Sequence, residues 1–111
     1  PAPARRTHRP EEKEKIWVLW YGNVRCSQCI ICEKIIKCAY TGDTQKVEFS
    51  HIESFEQSHN DDLSNIIPLC GPCNRSMGQK NMFVWVEQCF PHRTDVLAQK
   101  INDYRTRLNQ V

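Results

Sequence analysis

The fold is decided by one stretch of the sequence, LSNIIPLCGPCNRSMG at residues 63–78. It joins an apolar run of Ile66, Ile67 and Leu69 to a Cys-x-x-Cys pair formed by Cys70 and Cys73. Two cysteines at this spacing can direct both thiolates at one metal ion, while nearby backbone N–H groups stabilise the sulfurs. Residues from Asn74 to about Lys80 are then expected to begin a helix packed over that ion. The stretch therefore predicts a metal knuckle followed by a helix.

A second set of cysteines lies upstream, at Cys26, Cys29 and Cys32. Paired Cys-x-x-Cys spacings are typical of a closed tetrahedral zinc site, and disulfide frameworks seldom repeat them. Cys29 could act with either Cys26 or Cys32, and we expect Cys29 and Cys32 because an isoleucine-rich strand then follows the knuckle directly. With Cys70 and Cys73 they would form a four-cysteine Zn²⁺ site. Four thiolates leave no open position on the ion, so this zinc is expected to be structural.

Length and composition limit the class of protein. The 111 residues suffice for one domain, which a bound metal would help to stabilise. We find no apolar core of a signal peptide and no run able to cross a bilayer, so we expect an intracellular protein of the cytoplasm or nucleus, not secreted and without a membrane partner. The net charge of +2 gives only a weak pull toward nucleic acid. Because the chain begins at Pro1 without a methionine, we expect a processed or excised piece of something longer.

The N-terminal half predicts a tail, a helix and a strand. Residues 1–9 are polar, basic and proline-containing, and we expect a disordered tail there, followed by a single domain over residues 10–111. Pro10 and the acids after it favour a helix start, and Gly22 favours its end. Residues 47–52 alternate apolar and polar side chains as a half-buried strand does. Residues 53–64 are expected to form a loop.

Two further helices are expected toward the C-terminus, the first after Asn81 and the second after Thr94, with each of these residues as the cap. The last helix has an apolar stripe at Leu97, Ile101, Tyr104 and Leu108. Its basic residues are expected to form a solvated face in preference to phosphate contacts. We expect the tryptophans to lie in the core, because each falls on an amphipathic helix.

Between the two cysteine pairs lie a strand ending in Ser50-His51-Ile52 and, fourteen residues after His51, Asn65. This order, continued by CNRSMG at 73–78 and KNM at 80–82, resembles the HNH endonuclease family, particularly the cysteine-paired members common in large DNA viruses and phages. The resemblance covers roughly residues 15–90. It implies an α+β fold with a small zinc-stapled treble-clef, or ββα-metal, core flanked by N- and C-terminal helices.

The resemblance also implies a role for each matching residue. His51 would be the general base that takes a proton from the attacking water, as a neutral imidazole whose other nitrogen is held by a carbonyl. Asn65 would tie the loop to the strand and orient His51. Asn74 would help to hold a catalytic Mg²⁺ or Mn²⁺ ion. Arg75 and Lys80 are candidates for phosphate contacts.

This chain departs from the family at Ser50, where the members that bind metal most strongly have an acid. A hard cation prefers a carboxylate ligand, and the sequence leaves open whether one comes from Glu48, Glu53, Asp61 or Asp62. The expected function is a divalent-metal-dependent endonuclease that acts on nucleic acid, with double-stranded DNA as substrate. The alternative is an inactive zinc module that binds DNA or a protein partner, with the helix after Thr94 as the docking surface. The sequence leaves room for a protein partner or a homo-oligomer.

Overall fold

The computed structural model describes residues 9–37 and 47–110. Helices and two small antiparallel sheets confirm the expected α+β class. The elements are α1 (Pro10–Tyr21), β1 (Cys26–Gln28), β2 (Ile35–Lys37), β3 (Val47–His51), α2 (Phe55–Ser58), β4 (Ile66–Cys70), α3 (Gly71–Met77), α4 (Met82–Cys89) and α5 (Thr94–Asn109). Within the described ranges, no helix combines the length and the apolar character needed to cross a bilayer. Most of the predicted tail, residues 1–8, lies outside the described residues.

The first helix, α1, begins at Pro10 and ends before Gly22, as predicted. Gly22 has a φ of +88°, a backbone conformation that favours glycine. Trp17 and Trp20 are buried, as expected for core residues. The indole N–H of Trp20 donates a hydrogen bond to the carbonyl of Ile66 over 3.2 Å. Therefore α1 packs directly against the strand that leads to the second cysteine pair.

Two hairpins bring the cysteine pairs together. In the first, β1 pairs antiparallel with β2, and the turn between them contains residues 29–32. In the second, β3 pairs antiparallel with β4, from Val47 opposite Cys70 at one end to His51 opposite Ile66 at the other. Because Cys70 is the last residue of β4 and α3 starts at the next residue, this hairpin connects the predicted metal knuckle to the strand that bears His51.

The helix of the second knuckle, α3, begins earlier than predicted: its first residue is Gly71, not Asn74, and it ends before Lys80. The Sγ atom of Cys70 accepts a hydrogen bond from the backbone N–H of Cys73 over 3.4 Å and so caps the helix. A thiol is not among the oxygen-bearing side chains that announce a cap in a sequence. Consequently, Asn74 lies inside the helix and is not its cap.

Two other local predictions are wrong, and a third is confirmed in position only. Segment 53–64, expected as a loop, contains the single turn of α2. Asn81 occupies the cap position of α4, as predicted, but its side-chain Oδ1 accepts a hydrogen bond from the backbone N–H of Ser54 over 2.7 Å and makes no capping bond to the helix. Thr94 is the first residue of α5, and its hydroxyl donates to the carbonyl of Pro91 over 3.0 Å. In both helices the polar side chain bonds a neighbouring segment in place of the helix N–H groups.

The C-terminal helix, α5, is part of the core. Leu97, Ile101 and Tyr104 are buried. The ring of Tyr104 stacks on Trp20 with 4.7 Å between centroids, and its hydroxyl donates to the carbonyl of Leu63 over 2.6 Å. The apolar stripe that the alternative function needs as a docking surface is therefore packed against the rest of the protein.

Three arginines of the C-terminal stretch tie this part of the chain to other elements. Arg93 donates to the carbonyl of Ile30 from Nε over 3.0 Å and from Nη2 over 2.6 Å. Arg105 donates to the carbonyl of Ser64 over 3.0 Å, and Arg107 donates to the carbonyl of Leu19 near the end of α1. These bonds favour a structural role over phosphate contacts for this basic stretch.

Candidate functional site

Four cysteine sulfurs converge between the two hairpins. The Sγ atoms of Cys29, Cys32, Cys70 and Cys73 all lie within 4.8 Å of one another, whereas Cys26 is exposed. The Cys32 and Cys70 sulfurs are 3.5 Å apart, close to the roughly 3.8 Å edge of a tetrahedron with Zn–S bonds of about 2.3 Å. The spacing and the all-sulfur donor set fit zinc. These four residues, in the pairing favoured from the sequence, could hold a metal ion such as zinc.

Crowding of the four thiols changes their acidity. The thiol of Cys73 donates a hydrogen bond to Cys29 and lowers the pKa of Cys29 to about 5. The same donation, together with burial, raises the pKa of Cys73 well above that of an ordinary thiol. Burial raises the pKa of Cys70 to about 11. Shared protons therefore link the sulfurs through hydrogen bonds, and a zinc ion would bind by displacing those protons.

One face of β3 is turned toward α3. Side chains two residues apart on a strand share a face, and Glu48 and Ser50 both reach Asn74. The hydroxyl of Ser50 donates to Asn74 Oδ1, and Asn74 Nδ2 donates to Glu48 Oε1 over 2.8 Å. The second oxygen of Glu48 accepts a hydrogen bond from Arg75 Nη1 over 2.9 Å. The strand thus fixes the amide of Asn74 at both of its ends.

A small open cleft of about 70 Å³ lies beside this network, between β3 and the end of α3. Its lining contains no carboxylate among the described residues. The amide and hydroxyl oxygens of this lining could serve as a few weak ligands, so a Mg²⁺ or Mn²⁺ ion there would keep several waters and take further ligands from a phosphate. The polar side chains of the lining are Ser50, His51, Ser54, Asn74, Gln79 and Lys80.

The imidazole of His51 is held by a carboxylate. Its Nε2 atom lies 2.6 Å from Asp61 Oδ1, and these side chains are only 12% and 14% exposed. The expected partner was a backbone carbonyl, and that expectation is wrong because the segment between β3 and β4 folds Asp61 back over the strand. The ring of Phe55 packs against the ring of His51, with 5.4 Å between the two centroids. His51 is therefore restrained by a polar contact and by an aromatic one.

Asn65 lies buried at the end of the same segment. Its Oδ1 accepts from the backbone N–H of Glu53 over 2.8 Å, and its Nδ2 donates to the carbonyls of Glu53 and Asn60 over 3.1 and 2.8 Å. Its own carbonyl accepts from the N–H of Ile52 over 2.8 Å. These bonds tie the segment that leaves β3 at His51 to the point where it enters β4, which is the geometry that the predicted positioning role requires.

The two residues expected to contact phosphate lie in different settings. Lys80 lines the cleft, whereas Arg75 is exposed and forms an ion pair with Glu48. Sequence reasoning did not place Glu48 or Asp61 at the site. Glu48 had a usable signal, because it stands two residues before Ser50 on one strand face. Asp61 had none, because its place depends on the path of an irregular segment.

In a comparison with known protein families, residues 26–80 match the model of the HNH endonuclease family. The matched segment runs from β1 to Lys80, so it contains both cysteine pairs, His51 and the cleft. No curated protein and no solved structure matches the chain.

Proposed function

Since residues 26–80 make the chain a member of the HNH endonuclease family, we propose that it hydrolyses phosphodiester bonds as a divalent-metal-dependent endonuclease. Double-stranded DNA is the proposed substrate. The observation that carries the proposal is the cleft where His51 and Asn74 meet, with Lys80 beside them. Within one cleft, the imidazole of His51 can serve as a general base, the amide oxygen of Asn74 as an ion ligand, and the ammonium group of Lys80 as a phosphate contact.

In the proposed reaction, His51 acts as the general base. It takes a proton from a water molecule whose oxygen attacks phosphorus, and the bond from phosphorus to the leaving sugar oxygen breaks. The leaving oxygen is then protonated from solvent. Lys80 and Arg75 contact phosphates and place the strand in the cleft. Asn65 keeps the segment that follows His51 in place through its buried hydrogen bonds.

Asn74 would hold the Mg²⁺ or Mn²⁺ ion, together with phosphate oxygens and water. When bound, such an ion supplies positive charge at the scissile phosphate and the leaving oxygen. Ser50 and Glu48 would orient the Asn74 amide, since each bonds one end of it. Because no carboxylate of the described residues lines the cleft, we expect the ion to bind weakly, so that cleavage requires millimolar concentrations of Mg²⁺ or Mn²⁺.

The cysteine cluster would hold the structural Zn²⁺ in a treble-clef arrangement. Zinc would join the turn after β1 to the start of α3 and so would fix β4 relative to the first hairpin. Four thiolates saturate the ion, so the chemistry belongs to the cleft. The thiols must stay reduced to bind zinc, which supports a reducing intracellular compartment.

A plasmid-nicking assay with a matched pair of histidine variants tests the proposal. Supercoiled plasmid is incubated with the wild type, His51→Ala and His59→Ala, in Mg²⁺ or Mn²⁺ and in a chelator control. We expect His51→Ala to lose at least about 100-fold in rate, because a general base typically contributes that much. His59 is exposed and should be dispensable, so His59→Ala should cut normally.

Zinc content and far-UV circular dichroism of both variants show whether the fold is retained. Cleavage that survives in His51→Ala with intact zinc would mean a contaminating nuclease and would remove the assignment. A wild type that binds DNA but does not cut it in either metal would favour the second candidate function.

That second candidate is a catalytically inactive zinc module that binds nucleic acid. One observation favours it: the amide of Asn74 already forms hydrogen bonds with Ser50 and Glu48. Ser50 stands at the position where relatives that bind metal strongly have an acid. It predicts DNA binding that weakens with salt and no cleavage. The docking-surface version of this alternative loses support, because Leu97, Ile101 and Tyr104 of the α5 stripe are buried and Leu108 packs against the core.

A further inference from the structure

We propose that Asp61 is the positioning residue for His51. In this assignment, Asp61 fixes the imidazole with its proton on Nε2, so that Nδ1 keeps the lone pair that accepts a proton from water. The catalytic part of the inference rests on the proposed function. The choice of tautomer does not, since it is a property of the folded chain.

The contact between the two side chains has the geometry of a charge-assisted hydrogen bond. The 2.6 Å between His51 Nε2 and Asp61 Oδ1 is shorter than the mode of about 2.9 Å for ordinary N–H···O bonds. An ionised carboxylate can only accept, so the imidazole must donate from Nε2. Both side chains are largely shielded from water, which strengthens the bond and raises the cost of breaking it.

The structure also explains how an aspartate in an irregular segment can be placed this well. Asn65 holds the residues on both sides of Asp61: its Nδ2 donates to the carbonyl of Asn60 over 2.8 Å, and its backbone N–H donates to the carbonyl of Asp62 over 2.9 Å. The backbone N–H of Asp62 also donates to Asn60 Oδ1 over 3.0 Å. Asn65 therefore acts on His51 through the short turn that presents Asp61.

The same geometry argues against Asp61 as a carboxylate ligand of the proposed Mg²⁺ or Mn²⁺ ion. One Asp61 oxygen is bonded to His51, and Asp61 does not line the cleft in which Asn74 lies. To reach an ion in that cleft, the Asp61 carboxylate would have to move away from the imidazole and release the ring. The two roles compete, and the contacts present favour the positioning role.

The kinetic test compares Asp61→Asn and Asp61→Ala with Asp62→Asn. Asp62 is the matched control, because its side chain is exposed and its replacement removes the same charge one residue away. We expect both Asp61 variants to lose at least about 10-fold in kcat, with KM for DNA unchanged, because the wrong histidine tautomer cannot accept the proton and an imidazole without its carboxylate partner is no longer held in place. Asp62→Asn should keep the wild-type kcat. Zinc content and thermal unfolding verify the fold of each variant.

The spectroscopic test measures the tautomer of His51 directly. Long-range ¹H–¹⁵N correlation spectra distinguish a proton on Nε2 from one on Nδ1, and His51→Ala identifies the signals of His51 among the four histidines. We expect the Nε2–H tautomer to predominate in the wild type and in Asp62→Asn. In Asp61→Ala this preference should fall toward a mixture of the two tautomers.

The two tests separate the two claims. If the wild type fails to cleave DNA, the proposed function fails, and the tautomer measurement still decides the role of Asp61. An Nδ1–H tautomer in the wild type, or an unchanged Nε2–H preference in Asp61→Ala, would overturn the assignment of Asp61. So would an Asp61→Asn variant that keeps the wild-type kcat.

Discussion

Asn65 has three side-chain hydrogen bonds at a position that is 1% exposed. Its partners are backbone groups of Glu53 and Asn60, which lie in the irregular segment between β3 and β4. A buried backbone group that loses its partner costs about 1–3 kcal/mol, because no water replaces the bond. At the residue scale, this single amide sets the path of the chain after His51.

We therefore predict that Asn65→Ala destabilises the protein by about 2–4 kcal/mol. Chemical denaturation of the zinc-loaded protein measures this, with Asn102→Ala as the control, since Asn102 is exposed on α5. The residual folded fraction of Asn65→Ala should also have a lower kcat than the wild type, because the turn that presents Asp61 is released. Equal denaturation midpoints for the two variants would contradict the role given to Asn65.

His51, Asn65 and Asn74 could be singled out from the sequence, because the composite motif fixes their order and spacing. Their partners could not. The bond that Asn74 donates to Glu48 depends on how far α3 is rotated against β3, and the contact of Asp61 with His51 depends on an irregular turn. Pattern reasoning assigns residues to faces of regular elements, and it has no period to use in a segment such as 53–64.

Cys70 has two tasks at the scale of elements. It ends β4 with a sulfur in the cluster, and the same sulfur accepts the N–H of Cys73 at the start of α3. Metal binding and helix initiation are thereby coupled in one residue. In this arrangement, loss of the ion should loosen the start of α3, and with it the placement of Asn74.

The thiol acidities predict how zinc affinity changes with pH. Cys70 and Cys73 have raised pKa values and hold protons at neutral pH, while Cys29, with a pKa lowered to about 5, is already ionised there. Zinc requires thiolates, so at least the protons of Cys70 and Cys73 must leave when zinc binds. We predict that the apparent zinc affinity rises with pH, by about two decades or more per unit between about pH 6 and 8.

Competition with a chromophoric chelator over that pH range measures the slope. Cys89→Ser is a suitable control, because Cys89 is exposed and lies outside the cluster, and its slope should match that of the wild type. An affinity that does not change with pH would mean that the cluster is not the zinc site.

Element boundaries followed from the sequence where the signal is local. Proline and acids start α1, and a glycine with positive φ ends it, and neither signal depends on the rest of the protein. The starts of α3 and α5 were misplaced because Cys70 caps with sulfur and because Thr94 bonds backward to Pro91. Both errors come from side chains whose partners are set by the local backbone path.

At the scale of the whole molecule, α1 and α5 pack together against the strands that carry the site. Trp20 stacks on Tyr104, and both side chains bond backbone carbonyls near the start of β4. These contacts support our proposal that residues 10–111 form a single domain. The helices that flank the family segment thus form part of the same core as the site.

We predict that Leu97→Ala destabilises the protein by about 2–5 kcal/mol, because Leu97 is fully buried and a cavity would remain. Val84→Ala is the control, since Val84 is 49% exposed and its loss should change stability by less than about 0.5 kcal/mol. Both are measured by urea denaturation at fixed zinc concentration. A stable Leu97→Ala variant would mean that α5 is held loosely and is free for a partner.

The most direct test of the whole account is the metal requirement for cleavage of supercoiled DNA by the zinc-loaded protein. Zinc per chain is measured in the same samples before and after addition of Mg²⁺ or Mn²⁺. We predict one zinc ion per chain throughout, no cleavage without the added ion, and cleavage that increases into the millimolar range with it. Cleavage by the zinc form alone, or none with either added metal, would contradict it.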